Sequence, residues 1–446
     1  MTMRTQHKEH SYIELFAGCG GLSLGLHKAG WDGKFAIERD PMAFETLRQN
    51  MLTSHAPYTA FAEWPEWLEQ KNQPIEELLD SEACRRELSL HKEKVTLLAG
   101  GPPCQGFSVG GIRDGKDNRN SLVHRMLELV ELMSPQLVLI ENVEGITRRF
   151  FSKPGILAMS PADGIVQTLS RFGYEACYHV LDASRFGVPQ TRRRVFIVGI
   201  KRALPGAKVF ANYFSELMKN SREDFLINLG LPNNRFITAF EAIDDLSSGE
   251  SVSCPDSEKF MSCRYTKAES AYAKLMRCKI PTGAVPDSHR FSHHGDRILK
   301  FYRVAHKTQS PGRLSKEFLR EQGTKKDKKV LLDPHKPSST ITTHPDEFIH
   351  YEHPRNITVR EMARFQSFPD NYSFHGRYTI NGPRRRFDVA RCSQVGNAVP
   401  PLLAQAVGTV LKQIVKSFSN QELRNELLDV CNRESITEYP LLEAVV

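Results

Sequence analysis

The chain has 446 residues, 40% of them hydrophobic and 25% charged, with a formal net charge of +8 at pH 7. That length suits two or three domains at roughly 100–200 residues each, and the composition excludes disordered, fibrous and disulfide-scaffold classes. A moderate cationic excess is compatible with a polyanionic partner without requiring one.

No uninterrupted apolar run approaches the ~18 residues that span a bilayer. The opening MTMRTQHKEHSY lacks the apolar centre of a signal peptide. A cytoplasmic location without membrane attachment is therefore expected. The nine cysteines (19, 84, 104, 177, 254, 263, 278, 392 and 431) include no C-x-x-C pair. Such scatter argues against a disulfide framework and a standard zinc site. Cys254, Cys263 and Cys278 with His289 and His293 match no metal-ligand spacing, so no metal is expected.

Along the chain, SYIELF (11–16) predicts a buried strand, AGCGG (17–21) a glycine turn and LSLGLHKAG (22–30) a helix. GKFAIE (33–38) is a second strand, followed by the helix PMAFETLRQN (41–50) with proline at its first position. VTLLA (95–99), QLVLIENV (136–143) and VFIVGI (195–200) are further strands, and SLVHRMLELVELM (121–133) is a helix with an apolar face. This alternation predicts an α/β fold with a doubly wound, mainly parallel sheet over residues 1–205. Residues 206–389 are less regular and predict a second, smaller domain, with an ordered segment returning at 357–370. PPLLAQAVGTVLKQIVKSF (400–418) predicts a helix that, within 390–418, completes the first domain, and 419–446 forms a tail.

The first turn, ELFAGCGGLS (14–23), carries Gly18, Gly20 and Gly21, which allow close approach of backbone to a ligand. Ser23 stands where the dinucleotide fingerprint needs its third glycine, so a NAD site is poorly supported. Glu38, 18 residues after Gly20, ends the second strand, where such folds place a carboxylate on a ribose. A plain glycine turn with a surface glutamate is the bland alternative.

GGPPCQGFSVGG (100–111) sets the single thiol of Cys104 between a Pro-Pro corner and glycines. The residues alone leave packing, metal ligation and nucleophilic attack open. Glu141 ends the apolar LVLIENV, where a carboxylate is costly unless partnered or functional. In TRRRVFIVGI, alternation points Arg192 and Arg194 to one side, suited to a base edge or a phosphate, or else to a solvated charge run.

FAGCGG, Glu38, GGPPCQGFS, DNRNSL (117–122), ENV (141–143), QTRRR (190–194), REMARFQSFPD (360–370) and QVGNAVP (394–400) together resemble the ordered motifs of the cytosine-5 DNA methyltransferases, of the bacterial restriction-modification type. They span residues 13–400, nearly the whole chain. The resemblance implies the S-adenosylmethionine-dependent methyltransferase fold, with residues 206–389 holding a target-recognition domain. It implies methyl transfer to C5 of a flipped-out cytosine, with Cys104 as nucleophile, Glu141 bonding the base, Arg194 holding its O2 and Arg192 supporting that side.

The implied cofactor residues are Phe16, Gly18, Gly20, Gly21, Glu38, Pro103, Leu122 and Asn397, with S-adenosylhomocysteine as product. Double-stranded DNA is the implied partner, a separately acting cognate restriction endonuclease a further one, and a monomer the expected state. The family usually places an acidic residue on the adenine amino group. Here HAPYTAFAEWPEWLEQKNQPIEELL (55–79) has no G-D-I, and Glu63 or Glu66 is the available substitute. A tRNA methyltransferase on this scaffold and a catalytically silent DNA-binding relative are the alternatives. The large variable region disfavours the first, and the intact Cys104, Glu141, Arg192 and Arg194 disfavour the second.

Overall fold

Six strands form the central sheet: β1 (Ser11–Leu15), β2 (Asp32–Ile37), β3 (Leu97–Gly100), β4 (Leu137–Asn142), β5 (Tyr174–Asp182) and β6 (Arg193–Lys201). Their spatial order is β2-β1-β3-β4-β6-β5. Strands β1 to β4 run parallel to one another, and β6 is antiparallel to both β4 and β5. The computed structural model describes residues 10–103, 120–149, 151–153, 156–157, 159–324, 328–380 and 387–433. Cys104 lies outside the described residues, as do 434–446 of the tail.

Strands β1, β3 and β4 are buried on both faces, which is why they read as continuous apolar runs. Leu137, Leu139, Phe196, Val198 and Ile200 enter one core, while Val138, Ile140, Val195 and Ile197 enter the other. That split follows from the two-residue period of a strand. The doubly wound, mainly parallel sheet expected from the sequence is what the chain forms.

The helices that matter for the site are α1 (Gly21–Lys28), α2 (Pro41–Met51), α3 (Asn120–Met133), α4 (Pro161–Arg171), α5 (Phe214–Asn228), α6 (Val359–Phe365), α7 (Arg391–Asn397), α8 (Pro401–Ser419) and α9 (Gln421–Arg433). Asp40 caps α2 by accepting from the N–H groups of Met42 and Ala43, with Pro41 at the first position. The stretch Arg391–Ser419 is apolar and long enough to cross a membrane, yet 72% of its most apolar window is buried inside the protein. It is the core element that closes the sheet against α1. A Cβ on Gly25 of α1 would lie 2.3 Å from Ala404 Cβ, so the two helices meet at near-backbone contact.

Helix α5 sends Phe214, Leu217, Met218, Phe225 and Leu226 into the same core, which runs on through Ile237, Tyr265, Tyr272, Met276, Ile341 and Phe348. A small separate cluster gathers Phe301, Tyr302 and Ala305 of the helix Asp296–Thr308 with Leu314, Phe318, Leu319, Leu331 and Ile349. Short strands accompany it: a hairpin of Ser251–Cys254 with Ser257–Cys263, and a three-stranded sheet of Gly312–Arg313, Val330–Leu331 and Phe348–Ile349.

Buried arginines join these parts. α6 begins with a capping box of Thr358 and Glu361. Arg364 on that helix bonds Asp370 and Asp245, and Asp245 also takes Arg277 at 2.9 Å. Arg360 reaches the Tyr372 carbonyl, and the Tyr372 hydroxyl donates to the Cys19 carbonyl in the first turn. The motif at 357–370 is therefore a buried polar connection between the irregular region and the glycine turn.

Candidate active site

The carboxyl ends of β1, β2, β3 and β4 open into one cleft of about 440 Å³. That volume falls in the range of roughly 300–1,000 Å³ usual for small-molecule sites. Strand order reverses between β1 and β3, the point at which open α/β sheets bind ligands.

Phe16, Gly18 and Gly21 reach the cleft from the first turn, Glu38 from the end of β2, Pro103 from beyond β3 and Leu122 from α3. Asn397 at the end of α7 and the side chains of Glu141, Arg192 and Arg194 complete it. Gly20, expected beside them, does not line the cleft. A Cβ there would sit 2.7 Å from the Tyr372 hydroxyl, and its N–H is spent on the Ala17 carbonyl. With φ at 85°, Gly20 is needed for the turn itself, not as a wall of the cleft. Phe16 has φ at 57°, a left-handed conformation that is strained for a bulky side chain and is held here at the cleft edge.

Glu38 is fixed at both oxygens. Gly18 N–H donates to Oε2 at 2.8 Å and Asp40 N–H to Oε1 at 2.7 Å. Burial raises its carboxyl above the usual range, with those two N–H groups drawing it back. Each oxygen keeps a lone pair for a further donor such as a ribose hydroxyl.

Glu141 sits at the end of β4, opposite Phe196 in the antiparallel register. Burial raises its carboxyl, and Arg194 and then Arg192 oppose that rise. Arg194 Nε lies 3.2 Å from Glu141 Oε1. A Cβ on Gly101 would be 3.2 Å from Glu141 Oε2, so the start of the Pro-Pro corner lies against this carboxylate. Asn142 donates to the Pro102 carbonyl at 3.0 Å and fixes the corner from which the chain enters Cys104.

Arg192 leads into β6 and lines the same cleft as Arg194, as expected, but its donors are committed to backbone. It precedes β6, is 1% exposed, and donates to the carbonyls of Ile341, Gly396 and Ala398 at 3.0, 2.8 and 3.2 Å. Its hydrogen bonds go to protein backbone, so it shapes the wall by holding the segment after α7. Burial and then the like charge of Arg194 disfavour its charge, and Glu141 opposes them.

Sequence reasoning missed Glu14 and Gln73, both on the cleft. Glu14 is buried beneath the turn and bonded to the Ser23 hydroxyl, and burial pushes its carboxyl up to about 8. The Gln73 N–H donates to the Glu38 carbonyl at 2.8 Å. Its side chain is 6% exposed, and Nε2 has no hydrogen-bond partner among the described residues. Glu63 instead pairs with Lys34 at 2.7 Å, and neither Glu63 nor Glu66 lines the cleft. Cys263 and His289 do meet at 3.4 Å, but the His289 nitrogens also engage Thr358 and the Leu246 carbonyl. Among the described residues no group of three or more His, Cys, Asp or Glu side chains is arranged to hold a metal.

The chain matches the family model for C-5 cytosine-specific DNA methylase over residues 10–413. It is 30% identical over 427 residues to the type II methyltransferase M.DdeI of Desulfomicrobium norvegicum, covering 93% of this chain and 90% of that one. It is 29% identical over 445 residues to the type II methyltransferase M.XorII of Xanthomonas oryzae pv. oryzae, covering 93% and 87%. Among solved structures, a prophage-encoded methyltransferase of Escherichia coli shares the fold with a TM-score of 0.58 at 24% identity, over 91% of this chain and 99% of that one. With residues 10–413 matched by the family model and 93% of the chain aligned to a relative at 30% identity, the chain belongs to the C-5 cytosine-specific DNA methylase family.

Proposed function

We propose that this DNA (cytosine-5-)-methyltransferase acts on a cytosine turned out of a specific duplex sequence, as the cytoplasmic modification enzyme of a restriction-modification pair. The observation that carries the reading is the shared cleft: Glu141 and Arg194 face the same space as Phe16 and Glu38.

Cytosine is a poor nucleophile at C5. Addition of a thiolate at C6 converts the ring to an enamine whose C5 accepts a methyl group. Loss of the C5 proton and elimination of the thiolate then restore the aromatic ring. Cys104 is assigned as that thiolate. A free thiol has a pKa of about 8.5, so a cationic surrounding that favours the anion accelerates the attack. Glu141 bonds the base at N3 and its amino group, and stabilises the ring as charge develops. Arg194 holds O2, and Arg192 acts as a positioning residue through the carbonyls that it ties.

S-Adenosylmethionine, when bound, supplies a methyl group activated by a positively charged sulfur and leaves as S-adenosylhomocysteine. The residues fit it: Glu38 has acceptors for ribose hydroxyls and Phe16 offers an aromatic face. Pro103, Leu122 and Asn397 contribute walls, and the volume is adequate. A stacked base cannot be reached from both faces, so flipping costs a few kcal/mol that DNA contacts must supply. Residues 206–389 are assigned to reading the duplex, with base edges in a groove as the source of specificity.

Expression in a methylation-free host with bisulfite mapping tests the reading. Methylcytosine in one short sequence context is expected, and Cys104→Ser should abolish it while leaving DNA binding. Absence of methylcytosine in DNA, or methyl transfer confined to tRNA, would overturn it.

A further inference from the structure

We infer that Gln73 reads the adenine edge of the cofactor with its carboxamide, where a carboxylate would be looked for. This deepens the cofactor reading above and rests on it. The Gln73 backbone is tied to the Glu38 carbonyl at 2.8 Å, and the residue lines the cleft beside the carboxylate assigned to the ribose. It is 94% buried by its 6% exposure, yet Nε2 finds no hydrogen-bond partner among the described residues. A buried amide left without a partner is costly, and a base seated against this wall would supply one.

Adenine presents an amino donor next to ring-nitrogen acceptors, and a carboxamide matches donor and acceptor at once. A carboxylate could only accept. The surroundings suit a base as well: Ile37 and Ile75 give apolar walls to the same cleft, and Phe16 gives a ring. Glu76, on the first turn of the short helix Ile75–Asp80, is the acid of this segment that also lines the cleft, half-buried. It is the competing candidate, and the test separates the two.

Calorimetric titration of the full chain compares S-adenosylhomocysteine with an analogue carrying purine in place of adenine, which lacks the amino group. The wild type should bind the adenine compound about 5–10-fold more tightly, the worth of one or two buried hydrogen bonds. Gln73→Ala should lose that preference, weakening the adenine compound more than the purine analogue, which keeps the ring nitrogen but not the amino group. Gln73→Leu, similar in volume, should behave alike and guards against a collapse specific to alanine. Equal weakening of both ligands would mark Gln73 as merely structural and overturn the assignment. So would a preference intact in the Gln73 variants and lost in Glu76→Gln. Failure of the wild type to bind S-adenosylhomocysteine at all would overturn the cofactor reading beneath, and this inference with it.

Discussion

The Arg192 guanidinium donates to the Gly396 carbonyl at 2.8 Å across 204 residues of sequence. The same group reaches Ala398 and Ile341, so one buried cation joins the approach to β6 with the two segments that flank it. A lysine has the charge but not the planar fork, and its single nitrogen cannot stand where both guanidinium nitrogens meet these carbonyls. Arg192→Lys should leave one or two carbonyls unsatisfied, at about 1–3 kcal/mol each. The melting temperature should fall by a few degrees, at roughly 1 °C per kcal/mol for a chain of this length. S-Adenosylhomocysteine affinity should fall with it, because Asn397 lies between two of the tied carbonyls. An unchanged melting curve would show that the bonds are replaceable.

Glu141→Gln isolates charge from shape. The amide keeps the volume at the end of β4 but cannot change protonation as the ring does. Methyl transfer in a single turnover should drop by about 10²–10³, the scale seen when one preorganised polar contact to a transition state is lost. Cofactor affinity should stay within about twofold, since Glu141 is assigned to the base. A variant that kept near-normal turnover would refute the role.

The strands and helices around this cleft were legible because local patterns encode them: the apolar run LVLIE predicts β4, and Pro41 after Asp40 predicts the start of α2. Glu38 was legible because its place follows from strand length alone. Arg192 was legible as a site residue but not in its role, because its carbonyl partners lie 149 to 206 residues away and no local period reports them. Gln73 gave no signal at all. It lies in a segment without regular spacing, and its place beside Glu38 is set by one backbone bond to the end of β2. Gly20 carried the opposite lesson: a glycine read as room for a ligand is room for Tyr372.

Gly25→Ala tests how α1 is seated. In an open helix the change would gain about 1 kcal/mol from propensity. Here the new methyl would stand 2.3 Å from Ala404 Cβ and 2.6 Å from both Gln405 N and the Pro401 carbonyl. Backbone cannot yield like a flexible side chain, and overpacking typically costs 1–3 kcal/mol or more. The clash wins, so urea unfolding should shift to lower midpoints. Because α1 begins at the cleft, cofactor affinity should weaken as well. Equal or greater stability would mean that α1 and α8 are less closely seated.

Buried carboxyls of two kinds predict opposite pH slopes. Burial pushes Glu14 up to about 8 from an ordinary value near 4.5, so the folded chain keeps a proton that the unfolded chain releases. Its contribution is full below about pH 4.5 and is lost as pH rises toward 8. At about 1.4 kcal/mol per pH unit, the loss amounts to several kcal/mol. Asp370 is the reverse: burial would raise it, but Arg364 outweighs burial and holds it below the usual range. Glu361 is likewise held low, with Arg355 overcoming its burial. Their contributions are present above the unfolded value near 4 and are lost as pH falls through the lowered folded ones. Unfolding midpoints in urea should therefore decline from pH 5 to pH 8.5 in the wild type. Glu14→Gln should flatten that decline without altering the acid side, because the amide has no proton to release and Asp370 and Glu361 are untouched. Equal slopes in the two proteins between pH 5 and pH 8.5 would show that Glu14 is ionised in the folded chain, and that the hydrogen bond with Ser23 is made to a carboxylate.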